Sequence, residues 1–262
     1  MLFAFDLDGT LLSSDGSVSP RVVAAVQAAR AAGHVTAAST GRPWPLAGPA
    51  VEAAGGMEYA VCLNGAVVVN CLTGATIATR AMPMQRAIEA AHVARRLLPN
   101  VLLAADMADG RHLWEAGFAP EMPEGFAGAT VDDPVKLVDG AVLTWLLETP
   151  EADVVAMISA LRDHLPLGVE CRSSGLDMAE IAAHGVTKAS SLQIVADLHE
   201  LDASDAVAFG DGMNDVEMLR WAGHSVAMAN APDAVKAAAG EVARGNDEDG
   251  VAIVLESILS GV

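Results

Sequence analysis

The first apolar run, Leu2 to Phe5, has no alternation and stops at Asp6 and Asp8. That is the pattern of a strand buried on both faces and ended by a polar turn at Gly9. Ser19-Pro20 then reads as the cap and first position of a helix, with Val22, Val23, Val26, Ala29 and Arg30 at helical spacing and Gly33 closing it. His34 to Ser39 predicts a second strand, so the opening unit is a strand, helix, strand crossover. A Gly/Ala-rich helix from near Pro49 to Gly55 precedes a third strand over Tyr59 to Leu63. Val67 to Val69 and Thr76 to Ala78 flank a Thr73-Gly74 turn and predict a hairpin leaving the sheet.

From about Met82 the pattern changes. A helix through Ile88 to Leu98, a strand at Val101 to Ala105 and a Gly/Pro-rich stretch from Gly117 to Pro134 are followed by a strand at Val142 to Leu147. A helix at Ala152 to Leu161 and short strands at Val169 to Arg172 and Met178 to Ile181 complete this segment. After Gly185 the earlier alternation resumes, with a helix from Lys188 to His199 and strands at Ala206 to Phe209 and Ser225 to Met228. Two last helices follow the strings Asn230-Ala231-Pro232 and Asn246 to Gly250, which read as helix caps. The predicted fold class is α/β. A doubly wound, mostly parallel Rossmann-like sheet is built from residues 1–81 and 186–262, with residues 82–185 inserted as an α+β domain.

Composition narrows the partners. With 262 residues, 52% of them hydrophobic, the chain can fill a core and an insertion. A formal net charge of -19 argues against nucleic acid or an anionic membrane surface, both of which need clustered Lys and Arg. No uncharged stretch approaches the length of a membrane span and the N-terminus carries no basic leader, so a cytoplasmic protein, monomer or homodimer, is expected. Cys62, Cys71 and Cys171 are too widely spaced for a zinc knuckle or a disulfide framework and read as reduced thiols.

Polar signals gather where strands end, the place where open α/β sheets bind ligands. Asp6 and Asp8 lie two apart, so on an extended chain both carboxylates point the same way and repel unless a cation such as Mg2+ sits between them. Thr40 and Gly41 offer a hydroxyl and N–H groups at a helix opening, suited to a phosphate that Arg42 could also reach. Asn64 precedes Gly65 at the next strand end. Lys188 starts a helix, where the dipole disfavours a cation, which suggests an anionic partner. Asp211, Asn214 and Asp215 share a Gly-rich turn. Each also has an ordinary reading: strand-ending turn residues, Ser/Thr or Asp caps, a turn Asn, a solvated Lys.

Four ordered strings, Asp6-Leu7-Asp8-Gly9-Thr10-Leu11, Thr40-Gly41-Arg42, Gly185-Val186-Thr187-Lys188 and Gly210-Asp211-Gly212-Met213-Asn214-Asp215, go beyond any single match. Together they resemble the haloacid dehalogenase-like hydrolase superfamily, in particular its Cof-type phosphatases, which carry an inserted cap of the C2B type. The resemblance implies a phosphorylated nucleophile at Asp6 and a general acid/base at Asp8. It also implies Mg2+ held by Asp6, Asp8 (through its main-chain carbonyl), Asp211 and Asp215. Substrate phosphate would be bound by Thr40, Gly41, Arg42, Asn64, Lys188 and Asn214. The implied activity is Mg2+-dependent hydrolysis of a small phosphorylated metabolite, with a sugar phosphate foremost. A phosphomutase would keep the same strings, and a non-catalytic phospholigand-binding module is the alternative of another class. Because -19 is an unfavourable background for a phosphate ester, Mg2+, Lys188 and Arg42 must make the site locally positive. His112, Trp114 and Glu115 of the inserted segment are further candidates to face the substrate. Ala229 stands where the resemblance leads one to expect Gly.

Overall fold

The computed structural model describes residues 1–118, 128–175 and 178–261. Residues 119–127 of the Gly/Pro-rich stretch therefore lie outside the described residues. The chain divides into two compact units, residues 1–78 with 187–262, and residues 79–186.

The first unit is built on an eight-stranded sheet. Its strands in chain order are β1 (Leu2–Phe5), β2 (Val35–Ser39), β3 (Tyr59–Cys62), β4 (Val67–Asn70) and β5 (Ala75–Thr79). In the second unit come β6 (Leu102–Met107), β7 (His112–Glu115), β8 (Ala129–Val131), β9 (Val142–Glu148), β10 (Val169–Ser173) and β11 (Ala179–Ala183). The first unit resumes with β12 (Ala206–Gly210), β13 (His224–Ala227) and β14 (Glu241–Val242). Its sheet runs β14-β13-β12-β1-β2-β3-β4-β5, parallel from β14 to β3. The chain proceeds outward on one side through β2 and β3 and on the other through β13 and β14, so the order reverses between β1 and β12. A crevice at the carboxyl ends of strands is expected at such a reversal.

Alternate residues of β1 explain its unbroken apolar run. Phe3 and Phe5 pack with α1 (Pro20–Ala31), α2 (Trp44–Ala53) and α8 (Gly250–Ser260). Leu2 and Ala4 pack on the opposite face, with α5 (Lys188–Leu198) and α6 (Val216–Trp221). Helix α1 begins as expected, with Ser19 Oγ accepting from Val22 N at 3.2 Å and Pro20 at the first position.

Three expectations need correction. The β4–β5 segment does not leave the sheet but extends it, β4 pairing antiparallel with β3 and β5 forming the edge. Helix α2 begins at Trp44, five residues before the expected start near Pro49, and runs to Ala53 with Pro49 inside it. Asn230 and Asp249 are not side-chain caps: Pro232 stands at the start of α7 (Asp233–Lys236), and Asp249, in left-handed conformation before α8, makes no capping bond.

The second unit has a six-stranded sheet, order β10-β11-β9-β6-β7-β8, mostly antiparallel, with α3 (Met84–Leu97) and α4 (Val154–Leu161) on its apolar side. Trp145 fills that core and donates Nε1–H to Ala87 O at 3.0 Å. His112 and Glu115 are engaged inside this unit. His112 Nδ1 bonds the buried Asp106, and Glu115 accepts from Leu103 N at 3.0 Å and Arg95 at 3.1 Å. No helix among the described residues is long and apolar enough to cross a membrane.

Candidate active site

The central strand sets the site. Asp6 continues the ladder past Phe5, its N–H donating to Phe209 O at 2.9 Å, and its side chain follows Leu2 and Ala4 toward the α5 face. Thr187 caps α5, its hydroxyl accepting from Ser190 N at 3.1 Å while Ser190 Oγ accepts from Thr187 N at 2.9 Å. This capping box places Lys188 in the first turn of the helix, pointing inward. Lys188 Nζ lies 2.6 Å from Asp6 Oδ1 and 2.5 Å from Asp215 Oδ1, with the lysine and both carboxylates buried.

Asp215 closes its own loop. Its second oxygen accepts from the N–H groups of Asp211 and Gly212 at 3.0 and 2.8 Å. Asp211, directly after β12, accepts from Thr10 Oγ1 at 2.8 Å. Gly9, at φ +78°, comes so close that a Cβ there would stand 2.3 Å from Asp211 Oδ2. One carboxylate oxygen each from Asp6, Asp211 and Asp215 lies within 4.8 Å of the others.

Three carboxylates against one ammonium leave this cluster with two formal negative charges. Burial, then the charge of Asp215, pushes the Asp6 carboxyl well above the usual carboxylate range, against the pull of Lys188. Burial likewise raises Asp211, to about 6, with Asp215 adding to the rise and Thr10 opposing it. Burial works to lower Lys188, but Asp215 and Asp6 outweigh it and hold the ammonium charged. An all-oxygen set with this surplus charge fits a hard divalent cation such as Mg2+.

Asp8 does not join Asp6. The chain turns back after β1, Leu12 N donating to Leu7 O at 2.8 Å, and the Asp8 carboxylate instead receives the guanidinium fork of Arg42, Nε at 2.8 Å. The expected mutual repulsion is relieved by two different cations, Lys188 and Arg42, because the turn separates the two side chains. The hydrogen bond to Asp8 raises Arg42 above its ordinary value.

Thr40 is not at a helix opening. Its N–H donates to Val61 O at 2.8 Å and its hydroxyl accepts from Arg42 N at 3.1 Å, forming with Gly41 a turn ahead of α2. Asn64 N donates to Thr40 O at 3.0 Å, and Asn214 Nδ2 donates to Asn64 Oδ1 at 2.9 Å. Asn64 is buried and left-handed, at φ 51°, a conformation Asn tolerates better than most side chains. Thr40, Asn64 and Asn214 are thus chained across the loops after β2, β3 and β12. Thr10 carries no separate signal in the sequence and Asn230 has the local pattern of a cap, yet both lie against Asp211. Thr10 sits within the first string, whereas nothing local to Asn230 signals a partner 19 residues earlier.

Comparison with known proteins places the chain in a family. The family model described as haloacid dehalogenase-like hydrolase matches residues 3–255. A Bacillus subtilis (strain 168) protein, 5-amino-6-(5-phospho-D-ribitylamino)uracil phosphatase YitU, is 30% identical over 263 residues, covering 99% of this chain and 97% of its own. Pyridoxal phosphate phosphatase YbhA of Escherichia coli (strain K12) is 29% identical over 269 residues, covering 98% of each chain. Among solved structures, SMU.1108c from Streptococcus mutans UA159 has the same fold, with a TM-score of 0.87 at 23% identity, covering 99% of this chain and 98% of the other. The chain belongs to the haloacid dehalogenase-like hydrolases, as a phosphatase of their Cof type that acts on phosphorylated small molecules.

Proposed function

We propose that this phosphatase is Mg2+-dependent and works through phosphorylation of Asp6, on a small metabolite of the sugar or polyol phosphate class. The observation that carries the reading is the buried contact of Lys188 with Asp6, 2.6 Å, inside the three-carboxylate cluster. A carboxylate so placed is oriented, paired with a cation and shielded from water, as a nucleophile toward phosphorus requires.

In the first displacement an Asp6 oxygen forms a bond to phosphorus, the ester P–O bond breaks, and the leaving alkoxide takes a proton from Asp8. In the second, Asp8 removes a proton from water, whose oxygen attacks phosphorus; the Asp6–phosphate bond breaks and inorganic phosphate leaves. Asp8 enters the first displacement as the carboxylic acid and regains that proton from water in the second, and Arg42 orients its side chain for both transfers. Thr40, Gly41, Asn64 and Asn214 take the phosphoryl oxygens together with Lys188. Asp6, Asp211, Asp215 and the main-chain carbonyl of Asp8 would hold Mg2+, whose charge offsets that of the carboxylates and the phosphoryl group. We assign residues 82–185, the inserted α+β domain, as the C2B-type cap that the resemblance implies. The name of the 30%-identical relative, a phosphatase of a phosphoribitylamino compound, supports the sugar or polyol class.

The test is hydrolysis of para-nitrophenyl phosphate and of a panel of sugar, polyol and cofactor phosphates, with Mg2+ and with chelator. Release of phosphate from the panel only with Mg2+, and its loss in Asp6→Asn, is the expected result. Full activity of Asp6→Asn overturns the nucleophile, and full activity in chelator overturns the cation.

A further inference from the structure

Asn230, in the loop between β13 and α7, reaches back to the loop after β1. Its Nδ2 donates to Gly9 O at 2.8 Å and to Asp211 Oδ2 at 3.3 Å, while its Oδ1 accepts from Asn246 N at 3.1 Å. Asn246 in turn donates Nδ2 to Leu12 O at 2.9 Å. The orientation of the Asn230 carboxamide is fixed by these partners. Turned by half a revolution, it would set its oxygen against a carbonyl and a carboxylate, and its NH2 against an N–H.

Two consequences follow for Asp211. Thr10 Oγ1 holds its Oδ1 at 2.8 Å and Asn230 holds its Oδ2, so the carboxylate is gripped at both oxygens and cannot turn about its own bond without losing one of them. Gly9 O, the other acceptor of Asn230, belongs to the residue that follows Asp8, whose main-chain carbonyl is an assigned cation ligand. One side chain therefore braces Asp211 of the carboxylate cluster and, at once, the Gly9 peptide that follows Asp8.

We propose that Asn230 is a positioning residue for the divalent cation, acting through Asp211 and the Gly9 peptide without touching cation or substrate. This rests on the reading that the carboxylate cluster holds Mg2+. Partners that orient a ligand in this way are worth about ten- to a hundredfold in metal affinity. Mg2+ demands near-ideal octahedral geometry whereas Ca2+ accepts irregular coordination. Loosening Asp211 therefore weakens Mg2+ more than Ca2+, a difference that general destabilisation of the fold does not produce.

The experiment is calorimetric titration of Mg2+ and of Ca2+ into the metal-free full chain, as wild type, Asn230→Ala and Asn230→Ser, with urea unfolding in chelator alongside. Asn230 is exposed, so both variants are expected to fold, and Asn230→Ser decides if Asn230→Ala does not. The expected result is a loss of Mg2+ affinity of about tenfold, with a smaller loss for Ca2+. Wild-type Mg2+ affinity in a folded variant overturns the proposal, as does an equal loss for the two ions. Absence of Mg2+ binding by the wild-type chain instead overturns the underlying cofactor reading, before any variant is compared.

Discussion

Lys188 and Asp215, 27 residues apart in the chain, meet at 2.5 Å with neither side chain exposed to solvent. The same ammonium also serves Asp6, so one cation compensates two buried acids. Removing one partner of a buried ion pair leaves the other uncompensated, which costs about 3–5 kcal/mol. Lys188→Met is therefore expected to lose stability of that order in urea unfolding near neutral pH. Its phosphatase activity should fall by at least about a hundredfold, the scale of losing one electrostatic contact to the reacting group. The stability deficit should shrink as pH falls, because the orphaned carboxylates then take up protons. A variant as stable as wild type at neutral pH would contradict the pairing.

The raised carboxyls set a pH window. Asp211 is displaced from its ordinary value of 3.8 to about 6, chiefly by burial, and Asp6 moves in the same direction for the same first reason. A carboxyl raised in the folded state binds its proton more tightly there than in the unfolded chain. Its contribution to stability is therefore present below 3.8 and is lost as pH rises toward about 6. The metal-free chain should lose stability through these groups over that interval. A cation competes with the protons, so stabilisation by excess Mg2+ should be small near about pH 5 and grow above about pH 6. Melting temperatures with chelator and with Mg2+ across this range check it; a Mg2+ effect that declines with rising pH would refute it.

Arg42 and Asp8 make a forked pair in which both side chains are partly exposed, 32% and 55%. Such pairs add about 1 kcal/mol or less to stability. Arg42→Lys should therefore melt close to wild type, yet lose about ten- to a hundredfold in kcat/KM, because an ammonium keeps the charge and loses the two-bond grip that aims Asp8. Recovery of full kcat/KM in Arg42→Lys would show that charge alone suffices.

How far the chain could be read beforehand depended on whether the forces were local. β1 was legible because both its faces are buried, Leu2 and Ala4 on one side and Phe3 and Phe5 on the other, which writes an unbroken apolar run. Helix α1 announced itself through the Ser19 cap. β8 and β14 span three and two residues, too few for any period to show. The β4–β5 pair reads as a hairpin from its turn, but whether a hairpin joins a sheet is decided by its neighbour β3. At the site, residue types at strand ends were visible, whereas their pairings were not. Lys188 reaches Asp6 across 182 positions, and Asp8 pairs with Arg42 only because the chain turns at Leu7. The same holds for Asn230: Asn shortly before Pro is the local pattern of a helix start, and its partners are tertiary.

Gly65 links the loop after β3 to the helix that carries Lys188. It adopts φ +110°, and a Cβ there would stand 2.3 Å from Thr187 O and 2.6 Å from Thr187 C. Those are backbone atoms, which cannot swing aside as a flexible side chain would. Ser191 Oγ also donates to Gly65 O at 2.7 Å, fixing the approach from the second turn of α5. An added methyl must therefore displace Thr187, the cap of α5, and with it Lys188. Gly16 separates this effect from backbone strain, since it too has positive φ, +81°, but has nothing within 4 Å of the same position. Gly16→Ala should cost about 1 kcal/mol and leave activity intact. Gly65→Ala should cost more than that and lower kcat as well, because the lysine is drawn away from Asp6. Equal stability losses in the two variants, with activity retained in both, would mean that the loop after β3 yields and that Gly65 does not set the position of Lys188.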